Sequence, residues 1–177
     1  QASHDSLTGL PNRAYFEGRL IRALRNAAKQ GERAAVLFLD SDRFKSINDN
    51  FGHAAGDAVL VTVANRVRAQ LREDDLVARL GGDEFAVLLA PLHEVEDARR
   101  IAEKINASMD VPIQLPGSHS ILSSLSIGIA VYPDDGTTPS ALLDAADAAM
   151  YQTKRLARGE RDAVGAEPST VQAHTRS

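Results

Sequence analysis

The chain carries the sequence Leu80-Gly81-Gly82-Asp83-Glu84-Phe85 between two short apolar runs, 76–80 and 85–90. Both runs are rich in Val, Leu and Phe and have the length of buried strands. The Gly-Gly pair supplies the positive φ values that a tight hairpin needs. The sequence therefore predicts two antiparallel strands joined by this turn, with two acidic side chains where the second strand begins.

The two acids of the turn, Asp83 and Glu84, permit two interpretations. Like charges repel each other, and burial strengthens the repulsion unless a cation compensates it. A solvated turn, whose acids only keep it soluble, also accounts for these residues when they are considered alone. A second acidic cluster, Asp40-Ser41-Asp42, favours the cation, because it ends another buried apolar run at 34–39.

If the two predicted strands are neighbours, four carboxylates from Asp40, Asp42, Asp83 and Glu84 meet at one edge of the sheet. Mg²⁺ prefers such oxygens and keeps water or phosphate as its remaining ligands. Carboxylates on adjacent strand ends also support two-metal phosphoryl and nucleotidyl transfer. Zinc is not expected, since the chain has no Cys and no clustered His. Turn and cap roles explain Asp40 and Asp42 equally well, so both interpretations stay open on spacing alone.

The composition indicates one globular domain with a substantial core, since 44% of the 177 residues are apolar and 25% are charged. No apolar run is long enough to span a bilayer and no signal peptide is recognisable, so we expect no membrane contact. The absence of cysteine fits a cytoplasmic protein. The net charge of −4 argues against a general nucleic-acid surface, although metals could still allow small polyanions to bind.

Hydrophobic periodicity predicts the order helix, strand, helix, hairpin, helix, strands, helix. The predicted helices cover residues 12–29, a stretch from about 56 that stops around 72–75, residues 94–108, and a last stretch from about 139. The segment 43–53 is expected to be a polar loop, and strands are expected at 112–116 and 118–131. This alternation favours an α/β or α+β sandwich in which helices cover one sheet, with at least one antiparallel pair. From residue 159 onward the chain is polar and aperiodic, so 161–177 is expected to be a disordered tail.

The chain resembles the GGDEF domains, which are diguanylate cyclases named after the sequence found here at 81–85. The similarity continues, in matching order, through DSLTGLPNR (5–13), DSDRFKSIND (40–49), FGH (51–53), GD (56–57), LSIGIA (125–130) and 148–154. The resemblance implies one GGDEF domain at residues 1–160. It also implies a ferredoxin-like βαββαβ palm of the nucleotidyl cyclase type, with a mixed or antiparallel sheet covered by helices.

The reaction implied by the resemblance condenses two GTP into cyclic di-GMP with loss of two pyrophosphates. It requires a homodimer, because one domain holds one GTP, and two Mg²⁺ or Mn²⁺ ions per active site. The family serves bacterial second-messenger signalling and the control of biofilm. Because the first residue is Gln1 rather than Met, we expect a longer protein with an upstream sensory or receiver domain.

The resemblance also implies roles for individual residues. Metal would be held by the carboxylates of Asp40 and Asp83, the backbone carbonyl of Ser41, and Glu84 as an additional metal ligand or catalytic carboxylate. The catalytic residues would be Asp83, Glu84 and Lys45. The GTP-binding residues would be the guanine readers Asn48 and Asp57, the pocket residues Phe44 and His53, the turn residues Gly81 and Gly82, and the phosphate-binding Lys154 and Arg158. The guanine edge offers donors that a carboxylate accepts.

Two of these assignments have simpler explanations when the family is left aside. Lys154 and Arg158 could be a solvated basic end of a helix, which the helix dipole favours. Arg72 and Asp75 form an Arg-x-x-Asp pattern that is common by chance on surfaces. The resemblance, however, implies that this pattern marks an inhibitory site for cyclic di-GMP dimers.

Two rival functions remain open beside the enzyme. One is a catalytically silent GGDEF domain that binds GTP or cyclic di-GMP as a regulatory module. The other is a plain dimerisation domain with an incidental metal site. Asp40, Asn48, Asp57, Asp83 and Glu84 are all present, and this favours the enzyme.

Overall fold

The computed structural model describes the backbone of residues 2–175 and the side chains of residues 2–159. The elements follow in the order α1 (Arg13–Gln30), β1 (Arg33–Ser41), α2 (Phe44–Phe51), α3 (His53–Ala69), β2 (Leu76–Gly81), β3 (Glu84–Leu92), α4 (Val95–Ser108), β4 (Ile113–Gln114), β5 (Ser120–Ile121), β6 (Leu125–Tyr132) and α5 (Pro139–Thr175). No helix in the described part of the chain combines the length and the apolar character that a bilayer-spanning segment requires.

The central sheet has four strands in the order β2-β3-β1-β6, and every neighbouring pair is antiparallel. Helices connect β1 to β2 and β3 to β6, while a hairpin connects β2 to β3. This is the ferredoxin-like βαββαβ connectivity, so the predicted fold class is confirmed. The short strands β4 and β5 form a separate ribbon.

Helices cover both faces of the sheet. Helices α3 and α4 pack on the face that contains Leu37 and Leu39, whereas α1 and α5 pack on the face that contains Val36 and Phe38. Successive side chains of β1 therefore enter opposite cores, and both cores exclude water. This explains why β1 is an unbroken apolar run instead of an alternating pattern.

The prediction of a polar loop at 43–53 is wrong, because α2 and the first residue of α3, His53, lie in this segment. Gly52, with φ of +89°, separates the two helices. Only Ile47 of α2 is fully buried, with Phe44 half-buried beside it. A helix of two turns with one buried residue has too short an apolar repeat for periodicity to detect.

The C-terminal third also differs in detail from the prediction. The expected strand 112–116 is reduced to β4, and the expected strand 118–131 is divided into β5 and β6 by residues 122–124, which belong to no strand. The backbone of α5 continues to Thr175, through most of the segment expected to be a disordered tail. The side chains from residue 160 onward lie outside the described residues, and the domain boundary at residue 160 stays a prediction.

Candidate active site

The predicted Gly-Gly hairpin joins β2 to β3. Gly81 is paired with Glu84 across the turn, and Gly82 and Asp83 form its tip. Gly81 has φ of +147° and Gly82 has φ of +51°, and the first of these values is accessible essentially only to glycine. The turn therefore requires glycine at this point for backbone reasons, and it places Asp83 directly before β3.

The two acidic clusters meet at one edge of the sheet, as the sequence predicts. Strands β1 and β3 are neighbours, and their register places Asp40 opposite Glu84. The Asp40 Oδ2 atom accepts a hydrogen bond of 2.9 Å from the Lys154 Nζ atom of α5. The Asp40 Oδ1 atom is buried and has no hydrogen-bond partner among the described residues. A buried carboxylate oxygen without a partner is unfavourable unless a cation or a donor completes it.

The pKa values of two carboxyl groups in the cluster, those of Asp83 and Glu84, are raised because the acids are buried and close together. Burial, together with the neighbouring Asp40 carboxylate, raises the pKa of Asp83 to about 7. Burial also raises the pKa of Glu84, with further contributions from Asp40 and Asp147. These carboxyl groups therefore take up protons more readily than in water, and a cation bound between them would restore their ionised form. Glu84 also borders a cavity of about 390 Å³ between α1 and α5.

Asp42 borders this cluster, with its Oδ1 atom 4.0 Å from Lys154 Nζ, but both of its oxygens are already hydrogen-bonded, so the expectation that four carboxylates converge on a cation needs correction. Its Oδ2 atom accepts a hydrogen bond of 2.6 Å from Ser124 Oγ, and its Oδ1 atom accepts one of 2.7 Å from Ser126 Oγ. The residue is only 6% exposed. Asp42 thus links the residue after β1 to the start of β6, and each of its carboxylate oxygens already accepts a hydrogen bond. The sequence did not reveal Ser124 and Ser126 as partners, because they lie more than 80 positions away.

The donor set at the sheet edge fits a divalent cation that also binds substrate. The described residues contain no group of three or more His, Cys, Asp or Glu side chains that could hold a metal ion by itself. Two neighbouring carboxylates, Asp40 and Asp83, are nevertheless present, and the Ser41 carbonyl oxygen lies 3.4 Å from Lys154 Nζ at the same place. Mg²⁺ is typically held by one or two carboxylates and completes its shell with water and phosphate. The unpartnered Asp40 oxygen is the observation that supports such an ion.

The basic residues named from the sequence have different surroundings. Lys154 is largely buried and bound to Asp40, with the nearest oxygen of Asp42 at 4.0 Å. It is therefore part of the acidic cluster, whereas the sequence suggested only a solvated helix end or a ligand of the outer phosphates. Arg158 is exposed one turn further along α5, and Lys45 is exposed in the first turn of α2.

The residues assigned to the guanine base lie where α2 packs against α3. Asn48 and Phe44 of α2 lie directly against Gly56 in the first turn of α3. Asp57 follows Gly56 and is exposed, as is His53 at the start of α3. Asn48 is half-buried at this contact between the two helices.

Arg72 and Asp75 form a closed turn between α3 and β2. Asp75 accepts hydrogen bonds from the Arg72 backbone N–H at 2.9 Å and from the Arg72 guanidinium at 3.3 and 3.4 Å. The Asp75 side chain is fully buried, while 51% of the Arg72 side chain is exposed. The carboxylate thus holds the guanidinium at the surface, beside a cavity of about 310 Å³.

Arg79 supports the hairpin, and the sequence analysis missed it. Its Nε atom donates to the Gly82 carbonyl at 2.9 Å, and its Nη1 atom donates to Asp5 at 2.8 Å. Its backbone N–H donates to the Pro11 carbonyl at 3.0 Å. Burial alone would raise the pKa of Asp5, but hydrogen bonds from Thr8 and the Arg79 guanidinium outweigh it and hold the pKa below its usual value. Arg79 therefore binds the tip of the hairpin to the segment that precedes α1.

Comparison with known proteins agrees with this geometry. Residues 2–160 match the family described as diguanylate cyclase, GGDEF domain. The chain is 66% identical over 161 residues to the diguanylate cyclase TpbB of Pseudomonas aeruginosa, a match that covers 91% of this chain and 37% of TpbB. This chain thus spans little more than a third of the length of that relative.

Solved structures give the same result. The structure of the isolated GGDEF domain of TpbB, also called YfiN, from Pseudomonas aeruginosa superposes with a TM-score of 0.85 at 65% identity, and the match covers 86% of this chain and 89% of that one. The GGDEF domain of DgcB from Caulobacter crescentus, solved in complex with c-di-GMP, superposes with a TM-score of 0.82 at 29% identity over 88% of this chain and 91% of that one. The family match, the relative and the fold agree, and the chain therefore belongs to the diguanylate cyclase GGDEF domain family.

Proposed function

We propose that this chain condenses two molecules of GTP into cyclic di-GMP and releases two pyrophosphates. In each step the 3′-oxygen of one GTP forms a bond to the α-phosphorus of the other. The bond from that phosphorus to the α–β bridging oxygen breaks, and the hydroxyl proton passes to a base or to water. One domain would hold one GTP, so two copies would face each other across a two-fold axis. The observation that carries the proposal is the convergence of Asp40 and Asp83 around a buried, unpartnered carboxylate oxygen.

In this proposal Asp40, Asp83 and the Ser41 carbonyl would hold divalent cations, Mg²⁺ or Mn²⁺, with Glu84 beside them as a further ligand or catalytic carboxylate. GGDEF diguanylate cyclases generally depend on divalent metal ions, and we propose two per active site. When bound, such ions stabilise negative charge on the transferring phosphate and acidify the attacking hydroxyl. Lys154 supplies a fixed positive charge at the same edge, because its ammonium group is already directed at Asp40.

The remaining residues would bind and orient GTP. Asp57 would accept hydrogen bonds from the N1–H and N2–H₂ groups of guanine, and the Asn48 amide would serve the N3 side. Phe44 and His53 would line the base pocket, with Gly81 and Gly82 allowing the nucleotide to approach the hairpin. Lys45 would act as a catalytic residue by supplying positive charge near the transferring phosphate. Lys154 and Arg158 would bind the outer phosphates.

Incubation of the chain with GTP and Mg²⁺, followed by separation of the products, tests this function. We expect cyclic di-GMP and pyrophosphate, with a rate that depends on protein concentration more steeply than first order. Binding of GTP without turnover would instead support a silent regulatory domain. If the chain neither bound nor converted GTP, only the interpretation as a dimerisation domain would remain.

We also propose that the chain is the output domain of a longer cytoplasmic signalling protein with an upstream sensory or receiver domain. The support is its length relative to TpbB, of which it matches 37%. Its product would then act as a bacterial second messenger, with biofilm formation among the outputs.

Arg79→Ala should lower the Mg²⁺ affinity of the chain by about 10- to 100-fold, the usual effect of removing a side chain that orients a metal ligand. The reason is that Arg79 holds the Gly82 carbonyl, one residue before Asp83. The measurement is the Mg²⁺ concentration that gives half-maximal turnover at saturating GTP, together with thermal unfolding. Arg99→Ala is the matched control, since Arg99 is an exposed arginine of α4 whose ion pairs, among the side chains that the structure describes, are with Glu96 and Glu103. An unchanged Mg²⁺ requirement in a folded Arg79→Ala protein would show that the hairpin does not depend on this contact.

Arg72→Ala should weaken product inhibition by about 10- to 100-fold, which corresponds to the loss of charged hydrogen bonds. We propose that the exposed Arg72 guanidinium, held in place by Asp75, binds the phosphate and guanine groups of cyclic di-GMP. The measurement is a titration of cyclic di-GMP into turnover, in which each variant is normalised to its own rate without added product. Arg99→Ala serves as the control here too. Inhibition as strong as in the parent protein would refute the assignment of Arg72 and Asp75.

A further inference from the structure

Gly56 lies in the first turn of α3, buried against two side chains of α2. A Cβ atom built on Gly56 would lie 1.9 Å from Asn48 Oδ1 and 2.9 Å from Asn48 Cγ. It would also lie 3.3 Å from Phe44 Cζ. Carbon and oxygen atoms that are not bonded cannot approach to 1.9 Å. The Asn48 amide therefore occupies the space that any other residue at position 56 would fill.

The backbone gives no reason for glycine at this position. Gly56 is inside a helix and does not have the positive φ that glycine is used for elsewhere in this chain, at Gly52 or Gly82 for example. In a helix interior glycine is the least favourable residue apart from proline, because it loses the most conformational freedom on folding. The reason for glycine must therefore lie in what packs against it, and that is Asn48 together with Phe44.

We propose that Gly56 is a positioning residue for GTP, because its missing side chain lets the Asn48 amide lie against the first turn of α3, at the residue before Asp57. This inference rests on the proposed function, in which Asn48 and Asp57 contact guanine. Gly56 itself touches no substrate atom in this scheme. It acts by fixing where one of the two guanine-reading side chains can be.

An added methyl group should move Asn48 without unfolding the domain. The closest atoms are at the end of a flexible side chain, so a rotation of Asn48 relieves the overlap, whereas the α3 backbone already has the conformation that alanine prefers. The expected result is an unusual combination. Gly56→Ala should bind GTP less well while its unfolding temperature stays the same or rises.

The experiment measures the affinity of the chain for 3′-deoxy-GTP with Mg²⁺ by calorimetry. This analogue lacks the attacking hydroxyl and cannot react. Asn48→Ala should weaken binding by about tenfold, the effect of losing one or two hydrogen bonds. Gly56→Ala should weaken it by a similar factor, and in turnover it should raise the KM for GTP while kcat changes less than about twofold. Gly18→Ala is the matched control, because Gly18 is also inside a helix, and a Cβ there would meet nothing within 4 Å.

The double variant Asn48→Ala/Gly56→Ala distinguishes the mechanism from a general loss of structure. Once the amide is gone the methyl group has room, so Gly56→Ala should cause no further loss of affinity in the Asn48→Ala background. This double variant should also fold if the single Gly56→Ala protein does not, which would equally demonstrate the contact. Additive losses would overturn the proposal, as would unchanged affinity in Gly56→Ala when Asn48→Ala is impaired. Unchanged affinity in Asn48→Ala itself would instead refute the guanine assignment, and the role of Gly56 with it.

Discussion

Asp40→Asn should lower the rate of cyclic di-GMP formation by at least about a thousandfold, which corresponds to about 4 kcal/mol of transition-state stabilisation. The substitution keeps the shape of the side chain but removes its charge. Asp40 is the residue at which the contacts of the site converge, since it lies opposite Glu84, beside Asp83 and against Lys154. Steady-state turnover at saturating GTP and Mg²⁺ measures the effect.

The stability of the same variant separates metal binding from folding. Without metal, the loss of the Lys154 ion pair should be offset by relief of the repulsion between Asp40 and Asp83, so the unfolding temperature should change by only a few degrees. Mg²⁺ with 3′-deoxy-GTP should raise the unfolding temperature of the parent chain, because ligands that bind the folded state stabilise it, and should raise that of Asp40→Asn much less.

Asp110→Asn is the matched control for both measurements, because Asp110 is an exposed aspartate after α4. It should behave like the parent chain. If Asp40→Asn kept most of its Mg²⁺-dependent turnover, the edge where β1 meets β3 would not be the metal site. The chemistry would then have to be assigned elsewhere.

The sequence predicts those parts of the fold that depend on local patterns. The apolar run of β1 and the Gly-Gly turn each specify a conformation within a few residues, and both are confirmed. The adjacency of β1 and β3 was only a condition of the metal-site interpretation, and the register that places Asp40 opposite Glu84 fulfils it. Helix α2 was missed, since it buries too few residues to show a helical period.

The contacts that the sequence does not reveal join residues far apart in the chain. Asp42 looks like a member of the acidic cluster until Ser124 and Ser126 are seen to satisfy it. Arg79 looks like an ordinary strand residue until Asp5, 74 positions earlier in the chain, is seen to accept a hydrogen bond from its guanidinium. In both cases the residue type is compatible with several roles, and only the tertiary structure selects one of them.

Three glycines show most clearly that the sequence alone does not reveal what packs against a residue. Gly18, Gly56 and Gly128 all lie inside helices or strands, where glycine is unfavourable, and nothing in their residue type distinguishes them. A Cβ atom would meet open space at Gly18, the end of a flexible side chain at Gly56, and the backbone of a packed helix at Gly128. Substitution by alanine should therefore have a different effect at each position, and the largest effect is expected at Gly128.

Gly128→Ala should destabilise the domain by about 3 kcal/mol or more, the upper end of the range for inserting atoms into a packed core. A Cβ on Gly128 would lie 2.1 Å from the Met150 backbone nitrogen and 2.2 Å from the Ala146 carbonyl oxygen. These atoms belong to the backbone of α5, so no side-chain rotation can relieve the overlap, and the helix must move away from β6. For a chain of this size the unfolding temperature should fall by roughly 6–12 °C, which calorimetry measures. Gly18→Ala, with open space around it, should be neutral or slightly stabilising.

The displacement of α5 should also reach the acidic cluster. Lys154 is one turn beyond Met150, and α5 is joined to the sheet there by the Lys154–Asp40 ion pair and by the hydrogen bond from Thr153 Oγ1 to the Ile127 carbonyl. A helix pushed outward at Gly128 would strain both contacts. Gly128→Ala assayed well below its unfolding temperature should therefore turn over GTP more slowly even though it is folded, whereas Gly18→Ala should not. If Gly128→Ala were as stable as the parent chain, α5 would not approach β6 as closely as Gly128 permits. If the variant were destabilised but turned over GTP at the parent rate, the acidic cluster would not depend on the position of α5.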